Sequence, residues 1–288
     1  MKEKEKTSYS IAVQQNQFKM VRYPDYEAAY GQIATAARYH KMCRIIGHPG
    51  SGKTSLLLDY QQNNANTYYI CPPKGCPQKD LLRLLCTPID FYPGNETMCG
   101  LSQLLITHLN SRPMDTTFLI DEADNLCGSN SSIRKLDLVR YVWDFTRTKV
   151  SFIFAAPHDL EALLKKGKEN ISNSQFYRRC SVHVMSGMPL DSIKEFLENI
   201  ESEFHVRFEH AARIYLTKRI SDSERGGIGI VAEIIEKCLM ILLPPWGDYI
   251  DAITLNDFSR EEALLFFEEL PEQTITMALV KDACSMHK

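Results

Sequence analysis

Residues 42–56 read Met-Cys-Arg-Ile-Ile-Gly-His-Pro-Gly-Ser-Gly-Lys-Thr-Ser-Leu, and from Gly47 to Thr54 they follow the pattern G-x-x-x-x-G-K-T. The apolar run before Gly47 and the three leucines at 56–58 predict a buried strand, a glycine-rich turn and then a helix. Such a turn points successive backbone N–H groups inward, and the helix that follows directs the positive end of its dipole at the same place. The stretch therefore predicts a Walker A motif, a loop that binds phosphate groups.

A second motif follows the apolar run 116–120, which predicts a buried strand that leads directly into Asp121-Glu122-Ala123-Asp124. An acidic helix start after a strand is the alternative, but the Walker A motif upstream favours a Walker B motif. In that case Asp121 holds Mg²⁺ and Glu122 polarises the attacking water.

Together the two motifs predict ATP and Mg²⁺ as cofactors and ATP hydrolysis to ADP and phosphate. Lys53 is expected to reach the β- and γ-phosphates, and Thr54 and Asp121 are the predicted Mg²⁺ ligands. The predicted nucleotide-binding residues are Gly47, His48, Pro49, Gly50, Ser51, Gly52, Lys53, Thr54, Ser55 and Asp121.

The composition is that of a globular protein, since 44% of the 288 residues are hydrophobic and 24% are charged. A charged start (Met1 to Lys6) and the lack of an 18-residue apolar run predict a cytoplasmic protein with neither signal peptide nor membrane partner. The net charge of −3 requires any DNA-binding role to rest on a local basic face. Nine cysteines without paired C-x-x-C spacing suit a reducing compartment.

Strands that alternate with helices predict an α/β fold, here a five-stranded parallel sheet flanked by helices with the ligand at the carboxyl ends of the strands. The pattern turns helical after Gly187. We therefore predict four segments: a flexible N-terminal arm (1–22), an α/β ATPase core (23–187), a small helical lid (188–245) and a C-terminal extension of unread role (246–288).

The order of these features, with an arginine pair at 178–179 before the helical lid, resembles that of AAA+ ATPases. Within that class the chain is similar to the transposition-regulator ATPases of the TnsC, TniB and MuB type, and most of all to the short TnsC proteins of CRISPR-associated transposons. The residues that carry this likeness are Cys43–Gly47, Tyr69-Ile70, Cys76–Leu81, Ile120–Asp124, Arg178-Arg179 and Gly227–Gly229.

The resemblance implies a homo-oligomer that assembles head-to-tail as a helical filament or ring on double-stranded DNA. Such an assembly recruits or activates a transposase together with a target-selection protein. It also implies an arginine that completes the γ-phosphate site of the neighbouring subunit, with Arg179 as the first candidate and Arg178 as the second; a surface ion pair is the alternative. DNA backbone contacts are implied at Lys79 and Thr97, with Lys74 as a neighbouring candidate, although each also suits an ordinary solvated loop.

Two positions depart from the family pattern. Ala156-Pro157-His158 stands where a polar sensor residue is usual, so that His158 is the candidate substitute, and Ile230 stands where a sensor arginine is frequent. Both departures predict slow hydrolysis. Two other function classes remain open, a signalling or defence ATPase that does not bind DNA and a replication initiator or helicase loader. The short sequence after the lid leaves no room for a convincing winged helix, which disfavours the latter.

Overall fold

The computed structural model describes residues 18–127, 134–166, 171–221, 227–254 and 258–285. These residues form two compact units. The first, called the sheet unit here, comprises Tyr26–Gly47 and Lys53–Met185, and the second, called the helical unit, comprises residues 18–25, His48–Gly52 and 186–285. The turn of the Walker A motif is thus grouped with the helical unit, while the residues on both sides of it belong to the sheet unit.

The sheet unit alternates strands and helices as the sequence predicts. A helix precedes the first strand. The α-helices and strands are, in order, α1 (Pro24–Arg38), β1 (Met42–Gly47), α2 (Lys53–Asn63), β2 (Thr67–Ile70), α3 (Gln78–Cys86), α4 (Met98–Ser111), β3 (Thr116–Ile120), α5 (Arg134–Thr146), β4 (Val150–Ala156), α6 (His158–Lys166), α7 (Ile171–Arg179) and β5 (Cys180–Met185).

The five strands form one sheet in the order β2-β3-β4-β1-β5, and all neighbours are parallel. This confirms the predicted fold class. Every residue of β1, β3 and β4 is buried, as expected for central strands covered on both faces. Because β4 lies between β1 and β3, the carboxyl end of β4 separates the two Walker strands at the edge where ligands bind in such sheets.

The helical unit contains six α-helices and two short strands among its described residues. They are α8 (Leu190–Phe204), β6 (Val206–Phe208), α9 (His210–Ser221), α10 (Gly227–Leu242), α11 (Trp246–Thr254), α12 (Arg260–Leu264), β7 (Gln273–Ile275) and α13 (Met277–Ser285). β6 and β7 pair in parallel. The core of this unit centres on Phe204, whose ring contacts those of Trp246, Tyr249 and Phe267.

The structure differs from the predicted segments at two points. The described parts of 246–285 are not a separate extension, because the apolar faces of α11, α12 and α13 fill the same core as α8 to α10. The end of the predicted N-terminal arm is also packed: Phe18 and Val21 are buried, and the Phe18 ring meets those of Phe196 and Phe204 edge-on. Residues 1–17 of the arm lie outside the described residues.

Candidate active site

The Walker A turn has the backbone conformation that its glycines allow. Gly50 and Gly52 have φ angles of 74° and 87°, in the left-handed region that favours glycine. Ser51 N donates to His48 O at 3.2 Å, and α2 begins at Lys53. The local sequence therefore forms the predicted strand, turn and helix.

Lys53 is held at the base of this loop. Its Nζ donates to Gly47 O at 2.9 Å across the turn. Burial lowers the pKa of Lys53, while the carboxylates of Asp121, Glu122 and Asp124 act in the opposite direction. The ammonium group is thus placed between the loop backbone and the acidic end of β3, where it is suited to bind an anion.

Asp121 is buried at the end of β3 and is bound by three donors. Its Oδ2 accepts hydrogen bonds from Thr54 Oγ1 at 2.7 Å and from Tyr69 OH at 2.9 Å, and its Oδ1 accepts from Glu122 N at 2.9 Å. The structure therefore brings together Thr54 and Asp121, the two predicted metal ligands. Hydroxyl and carboxylate oxygens are the hard ligands that Mg²⁺ prefers.

Tyr69 is the residue of this site to which the sequence assigned no role. It lies on β2 opposite Leu119 of β3, and Asp121 follows two residues after Leu119. Side chains two residues apart point to the same side of a strand, so the pairing of β2 with β3 was the signal that could have identified Tyr69. That pairing is non-local, and the sequence alone did not predict the order of the strands.

Glu122 lies in the left-handed region, with φ 47° and ψ 42°. A non-glycine residue in this conformation costs about 1–2 kcal/mol, and such strain is concentrated at functional sites. Glu122 is accessible to solvent, but the partial burial of its carboxylate and then the charges of Asp121 and Asp124 raise its pKa. An accessible carboxylate with a raised pKa is suited to accept a proton.

Two polar atoms at the site test whether it fits a nucleotide. Among the described residues, the buried Ser51 Oγ and Asp124 Oδ1 have no hydrogen-bond partner. Buried polar atoms are rarely left unsatisfied in proteins, so these two are available to a ligand or its bound water. Ser51 Oγ belongs to the Walker A turn, where phosphate binding is expected, and Asp124 Oδ1 belongs to the acidic segment after β3, where Mg²⁺ binding is expected. The residues present therefore fit both groups.

The predicted sensor positions have different surroundings. His158 begins α6, two residues after β4 ends between the Walker strands, and Pro157 precedes it. Ile230 is partly buried against the core of the helical unit. His158 is thus at the edge of the sheet where the Walker motifs lie, whereas Ile230 supplies apolar packing.

The arginine pair at the end of α7 divides into two environments. Arg179 donates to both carboxylate oxygens of Asp144, at 2.5 and 2.6 Å, and Asp144 also accepts from Arg140 at 2.7 Å. Arg178 is exposed and forms no ion pair with the residues that the structure describes. Arg179 therefore takes part in the ion pair that the sequence left open as its alternative.

The candidate DNA-contact residues lie in the loop after β2 and at the N-terminal ends of α3 and α4. Lys79, near the start of α3, donates to Asn95 Oδ1 at 3.4 Å, and Asn95 belongs to the loop before α4. Thr97 caps α4, because its Oγ1 accepts from Gly100 N at 3.1 Å. Lys74 is exposed in the loop after β2. Thr97 thus has a structural role, whereas Lys74 is exposed and Lys79 is half-buried.

Comparison with known proteins identifies one family over part of the chain. Residues 37–164, somewhat less than half of the chain, match the family described as AAA domain. No curated protein matches the chain. Among the described residues, no helix is both long enough and apolar enough to span a membrane.

Several solved structures share the fold at low sequence identity. The ORC1 protein of Aeropyrum pernix, solved in complex with DNA, is 11% identical with a TM-score of 0.63, over 94% of this chain and 66% of that chain. The ORC2 protein of the same organism is 14% identical with a TM-score of 0.60, over 94% of this chain and 69% of that chain.

Domain III of the Thermotoga maritima replication initiation protein DnaA is 15% identical with a TM-score of 0.51, over 87% of this chain and 94% of that domain. The chain spans just under two thirds of the ORC1 protein that it matches. At these identities the likeness establishes the fold. Residues 37–164, which match the AAA domain family, include both Walker motifs.

Proposed function

We propose that this protein is an ATP-hydrolysing AAA+ regulator that oligomerises on double-stranded DNA and recruits or activates a transposase at the target site. The observation that carries the nucleotide part is the 2.7 Å contact between Thr54 Oγ1 and Asp121 Oδ2. It joins the two Walker motifs at one point, beside Lys53 and Glu122. The transposase and the target-selection protein are partners that the sequence resemblance implies.

The residues of the site would have separate roles in hydrolysis: phosphate binding, Mg²⁺ binding and proton transfer. Lys53 and the N–H groups of the Walker A turn would bind the phosphate oxygens, while Thr54 and Asp121 would hold Mg²⁺. The ion would neutralise charge on the phosphates. Glu122 would orient the attacking water and accept its proton, for which its raised pKa is suited. With Pro157 and Ile230 at the sensor positions, we expect slow turnover.

An arginine from a neighbouring copy would complete the site in a head-to-tail assembly. Arg178 is the better candidate, because its side chain is exposed, whereas Arg179 is engaged by Asp144 within its own chain. Arg179 would have to leave this ion pair to reach a neighbour. We therefore propose Arg178 as the first candidate for the arginine that completes a neighbouring site, and Arg179 as the second.

DNA would be bound through its phosphates, since an assembly that coats many sequences cannot depend on reading bases. Lys74 and Lys79 are the proposed phosphate contacts, since the net charge of −3 leaves such contacts to individual lysines and not to the charge of the whole protein. The similar ORC1 structure was solved with DNA, which supports DNA binding by this fold in general.

A replication initiator is the second candidate, favoured by the likeness to ORC1, ORC2 and DnaA. The two candidate functions differ in the preference for DNA sequence that they require. A transposition scaffold is expected to bind random duplexes with similar affinity, whereas an initiator is expected to prefer particular sites. A signalling ATPase would bind no DNA.

Fluorescence anisotropy of labelled random-sequence duplexes tests the proposal. We expect binding that requires ATP or a slowly hydrolysed analogue, is lost in Lys53→Ala and weakens steeply with salt. Tight binding to one duplex among many would favour the initiator, and nucleotide binding with no DNA affinity would favour the signalling switch. Flanking genes provide a further criterion, since a transposase gene favours the proposal and a replicative helicase gene opposes it.

A further inference from the structure

The Asp121 carboxylate is bound from β2 as well as from the two Walker motifs. Its Oδ2 accepts from Thr54 Oγ1 at 2.7 Å and also from Tyr69 OH at 2.9 Å, while its Oδ1 accepts from Glu122 N. Thr54 and Glu122 belong to the motifs themselves. Tyr69 does not, and its hydroxyl is the only one of the three donors that comes from a neighbouring strand.

The position of Tyr69 is fixed by the sheet. Tyr69 and Ile70 of β2 pair with Leu119 and Ile120 of β3, and Asp121 N continues this ladder by donating to Ile70 O at 2.9 Å. The backbones of Asp121 and Tyr69 are therefore held in one register of the sheet. The hydrogen bond from the Tyr69 hydroxyl then fixes the orientation of the Asp121 carboxylate relative to this backbone.

We infer that Tyr69 is a positioning residue that orients the Asp121 carboxylate for Mg²⁺ and thereby sets the affinity of the nucleotide site for this ion. The inference rests on the nucleotide site of the proposed function. Residues that hydrogen-bond to a metal ligand restrict its rotation, and their loss typically weakens metal affinity or activity by about 10–100-fold. With two donors on Oδ2, the rotation of the carboxylate is restricted before the ion arrives.

The adjacent tyrosine provides a matched control. Tyr68 is on the same strand, and its hydroxyl accepts a hydrogen bond from Arg112 Nη2 at 2.8 Å, with the guanidinium over its ring. Neighbouring residues of a strand point to opposite faces, so Tyr68→Phe removes a bonded hydroxyl from β2 without touching Asp121. A general effect of losing a tyrosine hydroxyl from β2 would appear in both variants.

The test is a Mg²⁺ titration of fluorescent ATP-analogue binding to the full chain without DNA. In Tyr69→Phe we expect the half-saturating Mg²⁺ concentration to rise about 10-fold, with unchanged analogue affinity when Mg²⁺ is removed by a chelator. Tyr68→Phe should match the wild type in both measurements. A wild-type Mg²⁺ titration in Tyr69→Phe, or equal shifts in both variants, overturns the inference.

A double-mutant cycle identifies the route of the effect. If Tyr69 acts through Asp121, Tyr69→Phe causes no further loss of Mg²⁺ affinity in an Asp121→Asn background, because the two changes remove one interaction. A full additional loss there contradicts a positioning role. Thermal unfolding without ligand checks the fold, and Tyr69→Phe removes only one oxygen atom.

The wild type separates failure of this inference from failure of the proposed function. If the wild type binds the analogue but its binding does not depend on Mg²⁺, the proposed site and the inference both fail. If wild-type binding depends on Mg²⁺ and Tyr69→Phe behaves identically, only the inference fails. Because DNA is absent, neither result bears on assembly.

Discussion

Lys53 and Glu122 separate binding from hydrolysis at the scale of single side chains. Lys53→Ala removes the ammonium group that Gly47 O holds in the loop, and we expect loss of measurable ATP-analogue binding. Glu122→Gln keeps the size of the side chain but removes the proton acceptor. We expect near-normal analogue binding and a fall in kcat of about 10²–10⁴-fold, the usual contribution of general acid–base catalysis.

Equilibrium binding and single-turnover hydrolysis check this pair of variants. Normal turnover in Glu122→Gln would assign the proton acceptor to another residue. Both proteins should unfold at temperatures close to that of the wild type, since neither change opens a cavity in the core.

The arginine pair gives a second prediction at this scale. If Arg178 completes the site of a neighbouring copy, Arg178→Ala should lower the ATPase rate of the DNA-bound protein by roughly 10³-fold, the lower end of the effect of such arginines. Arg179→Ala should leave the rate nearly unchanged. Because Arg179 is more than a third exposed, it should lower the free energy of unfolding by no more than about 1 kcal/mol.

The two arginine variants are matched, since they differ by one position in α7. The reverse result, with Arg179 essential and Arg178 dispensable, would mean that the Asp144 ion pair opens on assembly. Mixing each variant with Lys53→Ala subunits distinguishes action in a neighbour from action within one chain.

At the scale of the secondary-structure element, Thr97 stabilises the start of α4 as its N-cap. Thr97→Ala removes the acceptor for Gly100 N and should lower the free energy of unfolding by about 1 kcal/mol, while DNA affinity stays the same. Thr97→Ser retains the cap and serves as the control in chemical denaturation. A loss of DNA affinity in Thr97→Ala without loss of stability would restore its predicted role as a DNA contact.

Gly229 of α10 gives a prediction about the Walker A turn. Gly229 N donates to Gly50 O at 3.1 Å, and a Cβ at position 229 would lie only 2.8 Å from Gly50 Cα. Both are backbone contacts, so Gly229→Ala must shift the turn or α10. We expect a loss of about 1–3 kcal/mol in the free energy of unfolding, the usual effect of overpacking, together with weaker ATP-analogue binding.

Gly247→Ala is the control for Gly229→Ala, because nothing lies within 4 Å of a Cβ at position 247. It is in the same unit and should be neutral or slightly stabilising, since alanine restricts the unfolded chain. Unchanged analogue binding in a folded Gly229→Ala protein would show that the turn does not depend on this contact.

The sequence predicts the elements better than it predicts their contacts. Both Walker motifs are local patterns, so the strand, turn and helix around Lys53 and the buried strand before Asp121 were predictable and are confirmed in the structure. The position of β4 between β1 and β3 depends on pairing between distant segments, as does the contact of Tyr69 with Asp121. Propensity and periodicity contain no information about such pairing.

At the scale of the whole molecule, the predicted domain boundary at 245 and the predicted N-terminal arm were also wrong in part because the sequence does not predict contacts between distant segments. The apolar residues of 246–285 have helical spacing, but their partners in α8 and α10 are distant in sequence. Phe18 and Val21 are among the few apolar residues of a short segment without a clear helical or strand pattern. Their burial, with the Phe18 ring against Phe196 and Phe204, is a tertiary effect. The ion pair of Arg179 with Asp144 was likewise only one of two predicted roles.

Assembly on DNA is the property of the whole molecule that the proposed function requires. The most direct measurement is negative-stain electron microscopy of the full chain with a random-sequence duplex and ATP, a slowly hydrolysed analogue or no nucleotide. Lys53→Ala provides the control for nucleotide binding. We predict rings or filaments on DNA that require nucleotide, persist with the analogue and are absent in Lys53→Ala. Discrete particles that do not associate with DNA under any of these conditions would contradict the proposed function.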